Sequence, residues 1–159
     1  MSFDSLDLRD ALGRFTTGVC LVTVTDPAGQ AQAVTVNSFA SVSLDPPLVL
    51  WSIQKDSDVY RLFAEAPQFA IGVLSRAQES HSSRYAQKGG HALDPAHFTV
   101  GENGAPLIRE ALVNFECSLE RAMEGGDHTI LLGRVTRLVT GEAGSPPLLF
   151  FGGNYRELR

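Results

Sequence analysis

The residues whose types and spacing could do chemistry fall mainly in two places along the 159-residue chain. The first is AVTVNSFASVSL (Ala33 to Leu44), which alternates as a strand does. Val34, Val36, Ser38, Ala40, Val42 and Leu44 on one side are largely apolar, while Ala33, Thr35, Asn37, Phe39, Ser41 and Ser43 on the other are small and mostly polar. An ordinary solvated face would carry Lys and Glu, so a face of hydroxyls, an amide and one ring is built to touch something. The second place follows the next apolar run, where Ser52, Lys55, Ser57 and Asp58 are joined further on by Arg84. Hydroxyls, a helix N-terminus at Ser57 and a cation are what an anionic ligand such as a phosphate needs. Each group also has a plainer reading: a polar edge strand for Thr35, Asn37 and Ser38, a helix cap for Ser57, a solvated charge for Arg84.

Other chemistries lack their signatures. There is no GxGxxG after a strand, no GxxxxGK[ST] and no GxSxG. His81, His91, His97 and His128 have no metal-ligand spacing, so no metal site is expected. Cys20 and Cys117 sit far apart inside apolar segments and read as buried free thiols.

The elements that must position these residues are mostly strands. Leu8, Leu12 and Phe15 at helical spacing predict an amphipathic helix over 5–17 ended by Gly18. VCLVTVT (Val19 to Thr25), the turn DPAG and the strand from Ala33 to Leu44 predict a hairpin. DPP interrupts the ladder before a third strand, Leu48 to Ile53. Ser57 is placed to cap a helix over 58–65 that turns Val59, Leu62 and Phe63 inward. After FAIGVL (Phe69 to Leu74), a Ser75/Gln78 capping box predicts a polar helix reaching Tyr85, followed by a long loop. Two long strands joined by Gly125 to Asp127 form a second hairpin, and PLLFFGG (Pro147 to Gly153) is a last short strand. Hairpins with few β-α-β alternations predict a mainly β (α+β) fold, a closed antiparallel barrel with short flanking helices, in one domain over 1–159. A net charge of −5 with dispersed Lys and Arg argues against nucleic acid as a partner. The acidic start and the lack of any long apolar run argue against a membrane and predict a cytoplasmic chain.

TVNSFASVSLDPPLV, the pair Ser52 and Ser57, RYA (Arg84 to Ala86), GDHTILLGRV (Gly126 to Val135) and PLLFFGGNY (Pro147 to Tyr155) stand in the order and approximate spacing of the flavin reductase-like family. Over nearly its whole length the chain resembles the small reductase component of two-component flavin monooxygenases. The resemblance implies an FMN-binding split β-barrel, usually a homodimer with its flavin sites near the subunit interface. It implies hydride transfer from NADH or NADPH to FMN or FAD, and a partner monooxygenase that takes the reduced flavin. Carried over residue by residue, Thr35, Val36, Asn37 and Ser38 would lie beside the flavin ring and ribityl chain, and Ser52, Lys55 and Ser57 near the phosphate. Arg84, Tyr85 and Tyr155 would complete the cofactor contacts, and His128 would be the catalytic residue, positioning the nicotinamide rather than protonating it. Phe150 stands where many relatives have Tyr. A flavin carrier or electron-transfer protein without nicotinamide turnover would share every flavin contact. An oxidase of the pyridoxine-phosphate type on a related barrel fits the GDH and TxNS segments less well.

Overall fold

The structure is a computed structural model that describes residues 2–158. Helix α1 (Ser5–Leu12) opens on a capping box: the Asp4 carboxylate accepts from the Leu6 and Asp7 amides at 2.8 and 2.9 Å, and Asp7 accepts from the Asp4 amide at 3.1 Å. The helix ends at Leu12, earlier than the pattern predicts. Gly18 does not cap it but lies in β1 (Thr17–Gly18), because those two residues find a ladder with β11 (Leu149–Phe151). Leu12 and Phe15 are 65% and 77% exposed, so the apolar stripe does not face this chain's own core.

The strand expected over 33–44 is two strands. β2 (Cys20–Thr25) pairs with β3 (Ala31–Val36) across a turn in which Asp26 accepts from the Ala28 and Gln30 amides. After Asn37, Ser38 and Phe39 the chain resumes as β4 (Ala40–Leu44), which pairs instead with β5 (Pro47–Gln54). The break comes at Ser38, whose hydroxyl accepts from the Ser52 amide at 2.9 Å and donates to the Ser52 carbonyl at 3.2 Å.

With β6 (Gln68–Val73), β9 (Val113–Gly125) and β10 (His128–Thr140), these strands form a seven-stranded sheet in the order β3-β2-β6-β9-β10-β5-β4. Its two edges, β3 and β4, are consecutive in sequence. A linker of a few residues spans at most ~15 Å, whereas a flat sheet of this width would hold its edges ~30 Å apart, so the sheet must curl strongly. No ladder joins β3 to β4 among the described residues, however, and closure of a barrel by hydrogen bonds is not seen. The curl encloses a core of Val22, Val24, Trp51, Phe69, Cys117 and Leu131, plugged by Phe63 of α2 (Tyr60–Ala64). Trp51 meets Phe63 and Phe69 edge-on at 6.2 and 6.1 Å. Both cysteines are buried and unpaired, and burial pushes each thiol up to about 12.

A second core lies outside the sheet. Leu21 and Ala33 point away from the first core and are covered by α3 (Glu79–Tyr85), Leu93, Ile108 and Leu148. The Ser75/Gln78 capping box is present, though its first turn is a 3₁₀ turn, Arg76–Gln78. The long connection after α3 is not all loop: β7 (Phe98–Val100) and β8 (Pro106–Ile108) pair within it. The C-terminal strand is a hairpin, β11 with β12 (Asn154–Arg156), turned by Gly152 and Gly153, both at positive φ. Among the described residues no helix is long and apolar enough to cross a membrane.

Candidate active site

Where the sheet's curl brings the end of β3 toward β5, a cleft of about 380 Å³ opens. One wall is Val34 to Ser38; the other is Ser52 to Gln54 with Asp56, Ser57 and Asp58 from the turn that follows. Ala86, Lys88 and His91 contribute from the connection after α3, and His128 from the start of β10. His128 pairs with Gln54 in the β10/β5 ladder, which is how a hairpin turn far along the chain reaches this wall. A second cleft of about 270 Å³ shares Thr35, Val36, Asn37 and Ala86 and runs on to Val19, Ser82, Phe150 and Tyr155. The two share β3 as a common wall.

Several expected residues meet here. Thr35, Val36, Asn37, Ser38, Ser52, Ser57 and His128 all line the first cleft, and Tyr155 lines the second. Their hydroxyls are not all free for a ligand. Thr35 donates to the Ser82 carbonyl at 2.7 Å, so the odd-numbered side of β3 packs under α3 instead of standing bare. Ser38 is bound twice to the Ser52 backbone, and the Tyr155 hydroxyl meets that of Ser82 at 2.6 Å. Ser57 caps a turn, accepting from the Val59 amide at 3.4 Å. Helix α2 begins at Tyr60 rather than at Asp58, where the sequence pattern starts it, so Ser57 marks no helix N-terminus.

Three expected cofactor contacts lie elsewhere. Lys55 is paired with Glu124, which raises its basicity, and Arg84 bridges Asp94 at 3.2 Å; neither lines the cleft. Tyr85 is fully buried in the second core, its hydroxyl bonded to His97 Nδ1 at 2.8 Å and to the Asp94 amide at 3.0 Å. The turn of a short helix points this aromatic inward, next to an exposed arginine, and neighbouring positions in RYA therefore have opposite environments.

The sequence reading passed over Lys88 and His91. Lys88 is the one Lys or Arg among the residues lining the first cleft. His91 is buried, with Nδ1 2.9 Å from the Ala33 carbonyl and Nε2 3.1 Å from Asp58 Oδ1. The other Asp58 oxygen accepts from the Gly89 amide at 2.8 Å, and this bond foremost holds the Asp58 carboxyl below the usual carboxylate range. The available signal was a lysine and a histidine flanking two glycines, KGGH, in a long connection. At the opposite wall, His128 Nδ1 lies 2.7 Å from Asp127 Oδ1, a contact that holds the Asp127 carboxyl below the usual carboxylate range. Among the described residues no cluster of three His, Cys, Asp or Glu side chains could hold a metal.

The groove thus offers small side chains along a flat wall, one cation and an oriented imidazole. The family model described as "Flavin reductase like domain" matches residues 12–159. The chain belongs to this flavin reductase-like family. Within it, the chain is 47% identical over 152 residues to "FMN reductase (NADH) SmoA" of Agrobacterium fabrum (strain C58 / ATCC 33970), covering 96% of this chain and 85% of that relative. Among solved structures it is similar to the Streptomyces globisporus C-1027 NADH:FAD oxidoreductase SgcE6, with a TM-score of 0.90 and 39% identity over 98% of this chain and 93% of that one. BorF, described as the flavin reductase component of a bacterial two-component tryptophan halogenase, matches with a TM-score of 0.88 and 37% identity over 98% of both chains. This chain, mainly β with few short helices, shares the fold of these flavin reductases.

Proposed function

We propose that the chain is an NAD(P)H-dependent flavin reductase that transfers a hydride from NADH or NADPH to FMN or FAD and delivers the reduced flavin to a partner monooxygenase. The observation that carries this reading is the pair of clefts that share the β3 wall, with His128 on the far side of the first. Relatives named as NADH-dependent FMN and FAD reductases support it, as does the structure of SgcE6 "in complex with NAD and FAD fragments". Components named for a halogenase and for styrene monooxygenase support the delivery step.

The residues present fit a flavin. Thr35, Val36 and Asn37 form a wall shared by both clefts, and their small side chains let a planar ring system approach the strand. Ser38 and Thr35 tie that wall to the Ser52 and Ser82 backbone, so its shape is set before a ligand arrives. When bound, the flavin supplies a two-electron acceptor for the nicotinamide hydride. His128, its Nδ1 directed to Asp127, would fix one side of the nicotinamide, since hydride transfer depends on close ring placement more than on an acid or base.

We further read the curled sheet as the split barrel of the family, in one domain over 1–159, acting as a homodimer in the cytoplasm. The exposed Leu12, Phe15 and Leu44 support a second copy as cover.

The deciding experiment is the rate of NADH and NADPH oxidation under air by purified protein, with and without FMN, FAD and riboflavin. Flavin-dependent turnover is expected and ranks both nucleotides. Flavin binding without turnover would replace this reading with that of a flavin carrier.

A further inference from the structure

The first stretch of the connection after α3, over 86–93, is pinned at both ends. Its start is folded back by the Gly90 amide, which donates to the Gln87 carbonyl at 3.0 Å. Its end runs along the free edge of β3, where the Ala33 amide donates to the His91 carbonyl at 2.8 Å and the Leu93 amide to the Ala31 carbonyl at 2.9 Å. Between these, both oxygens of Asp58 reach across from the opposite wall, one to the Gly89 amide and one to His91 Nε2. Gly89 has φ +77, a conformation that L side chains rarely adopt, and so a glycine is what allows its amide to face Asp58. Both His91 ring nitrogens face oxygen acceptors, the Ala33 carbonyl and the Asp58 carboxylate. One carboxylate therefore ties the turn after β5 to a loop that borders β3, across the cleft.

We propose that Asp58 and His91 form a latch that positions Lys88 at the mouth of the cleft, and that Lys88 is the contact for the phosphate of bound flavin. The proposal rests on the flavin reading above. Lys55 and Arg84, the cations that sequence spacing favoured for this task, are engaged by Glu124 and Asp94 away from the cleft. Lys88 stands next to a residue whose amide is pinned and three before a buried histidine, so its backbone is fixed while its side chain remains exposed. A lysine on a mobile loop would lose more conformational freedom on meeting an anion than one whose main chain is already held. The acidic neighbours in the cleft are Asp56 and Asp58, and Asp58 is turned toward Gly89 and His91.

The test compares wild type with Lys88→Gln, His91→Ala and His91→Gln, titrating FMN and riboflavin by flavin fluorescence and following amide hydrogen exchange over 86–91 in the ligand-free protein. Lys88→Gln is expected to weaken FMN roughly tenfold while leaving riboflavin within about twofold, since riboflavin lacks the phosphate. His91→Ala is expected to weaken FMN in the same selective way and to speed exchange at the Gly89 amide. His91→Gln, which keeps a donor toward Asp58, should recover much of both. Unchanged FMN affinity in Lys88→Gln overturns the phosphate contact, and equal losses for FMN and riboflavin in His91→Ala overturn the link between latch and phosphate. Unchanged exchange in His91→Ala overturns the latch. Wild type that binds neither flavin overturns the functional reading and the Lys88 contact with it, while the exchange data still decide the latch.

Discussion

His128 and Asp127 are adjacent in sequence yet play different parts. The Asp127 carboxylate can only accept, so the 2.7 Å contact puts a proton on His128 Nδ1 and, in the neutral ring, leaves Nε2 as an acceptor. The ring is thus oriented by a group that stays charged, because the contact itself holds Asp127 below the usual carboxylate range. On the proposed reading, removing the ring should be felt by the nicotinamide. His128→Ala is expected to raise the nicotinamide KM by roughly tenfold, more than it changes flavin affinity, as a contact to one substrate would. Equal changes in both, measured by steady-state kinetics and flavin titration, would leave His128 a turn residue.

At the level of elements, α3 meets the connection that follows it through two closely packed, tilted imidazole rings. His81 and His97 lie with centroids 3.9 Å apart, and His97 also meets the Tyr85 hydroxyl. Burial first, then the nearby His97 and Arg84, push His81 below its ordinary value of 6.5, against the opposing pull of Glu110 and Asp94. The unfolded chain takes up this proton more readily than the folded one. The contribution of His81 to stability is therefore complete above the unfolded value and declines as pH falls through it. Thermal unfolding followed between about pH 7 and about pH 5 should show a loss of stability that is smaller in His81→Asn. Parallel curves for the two proteins would remove His81 as the cause. Because α3 supplies the Ser82 carbonyl that Thr35 bonds, loosening this contact also reaches the wall of the groove.

For the whole molecule, the unexplained surface is apolar. Helix α1 buries none of its residues against the rest of the chain, and on β4 Leu44 is 97% exposed. An amphipathic helix this short draws its stability from packing rather than propensity. A second copy would provide that packing. Sedimentation is expected to find a dimer at micromolar concentration, and Leu12→Glu combined with Phe15→Glu should shift it toward monomer. A wild-type monomer at all concentrations, or an unchanged dimer in the double variant, would count against α1 and the turn after it as the contact.

Local sequence determined most of the elements, because their signals are local. Asp26 turns the first hairpin through its own neighbours, Ser75 and Gln78 cap each other three residues apart, and β-branched or apolar runs mark β2 and β5. The same local signals pointed to Thr35, Asn37, Ser52 and Ser57, and the family resemblance to His128; all five line one cleft, and the motif order identified the family. Tertiary structure decided what depends on distant partners. Alternation runs unbroken through Asn37 and Ser38, yet the ladder partner changes there from β2 to β5, and nothing in a period of two reports that. Charge type alone cannot say whether a cation meets a ligand or a carboxylate: Lys55 and Arg84 found Glu124 and Asp94, and Tyr85 was drawn into a core. Lys88 and His91 line the cleft because the curl of the sheet and a single carboxylate, Asp58, bring their loop to it, a proximity that exists only once the chain has folded.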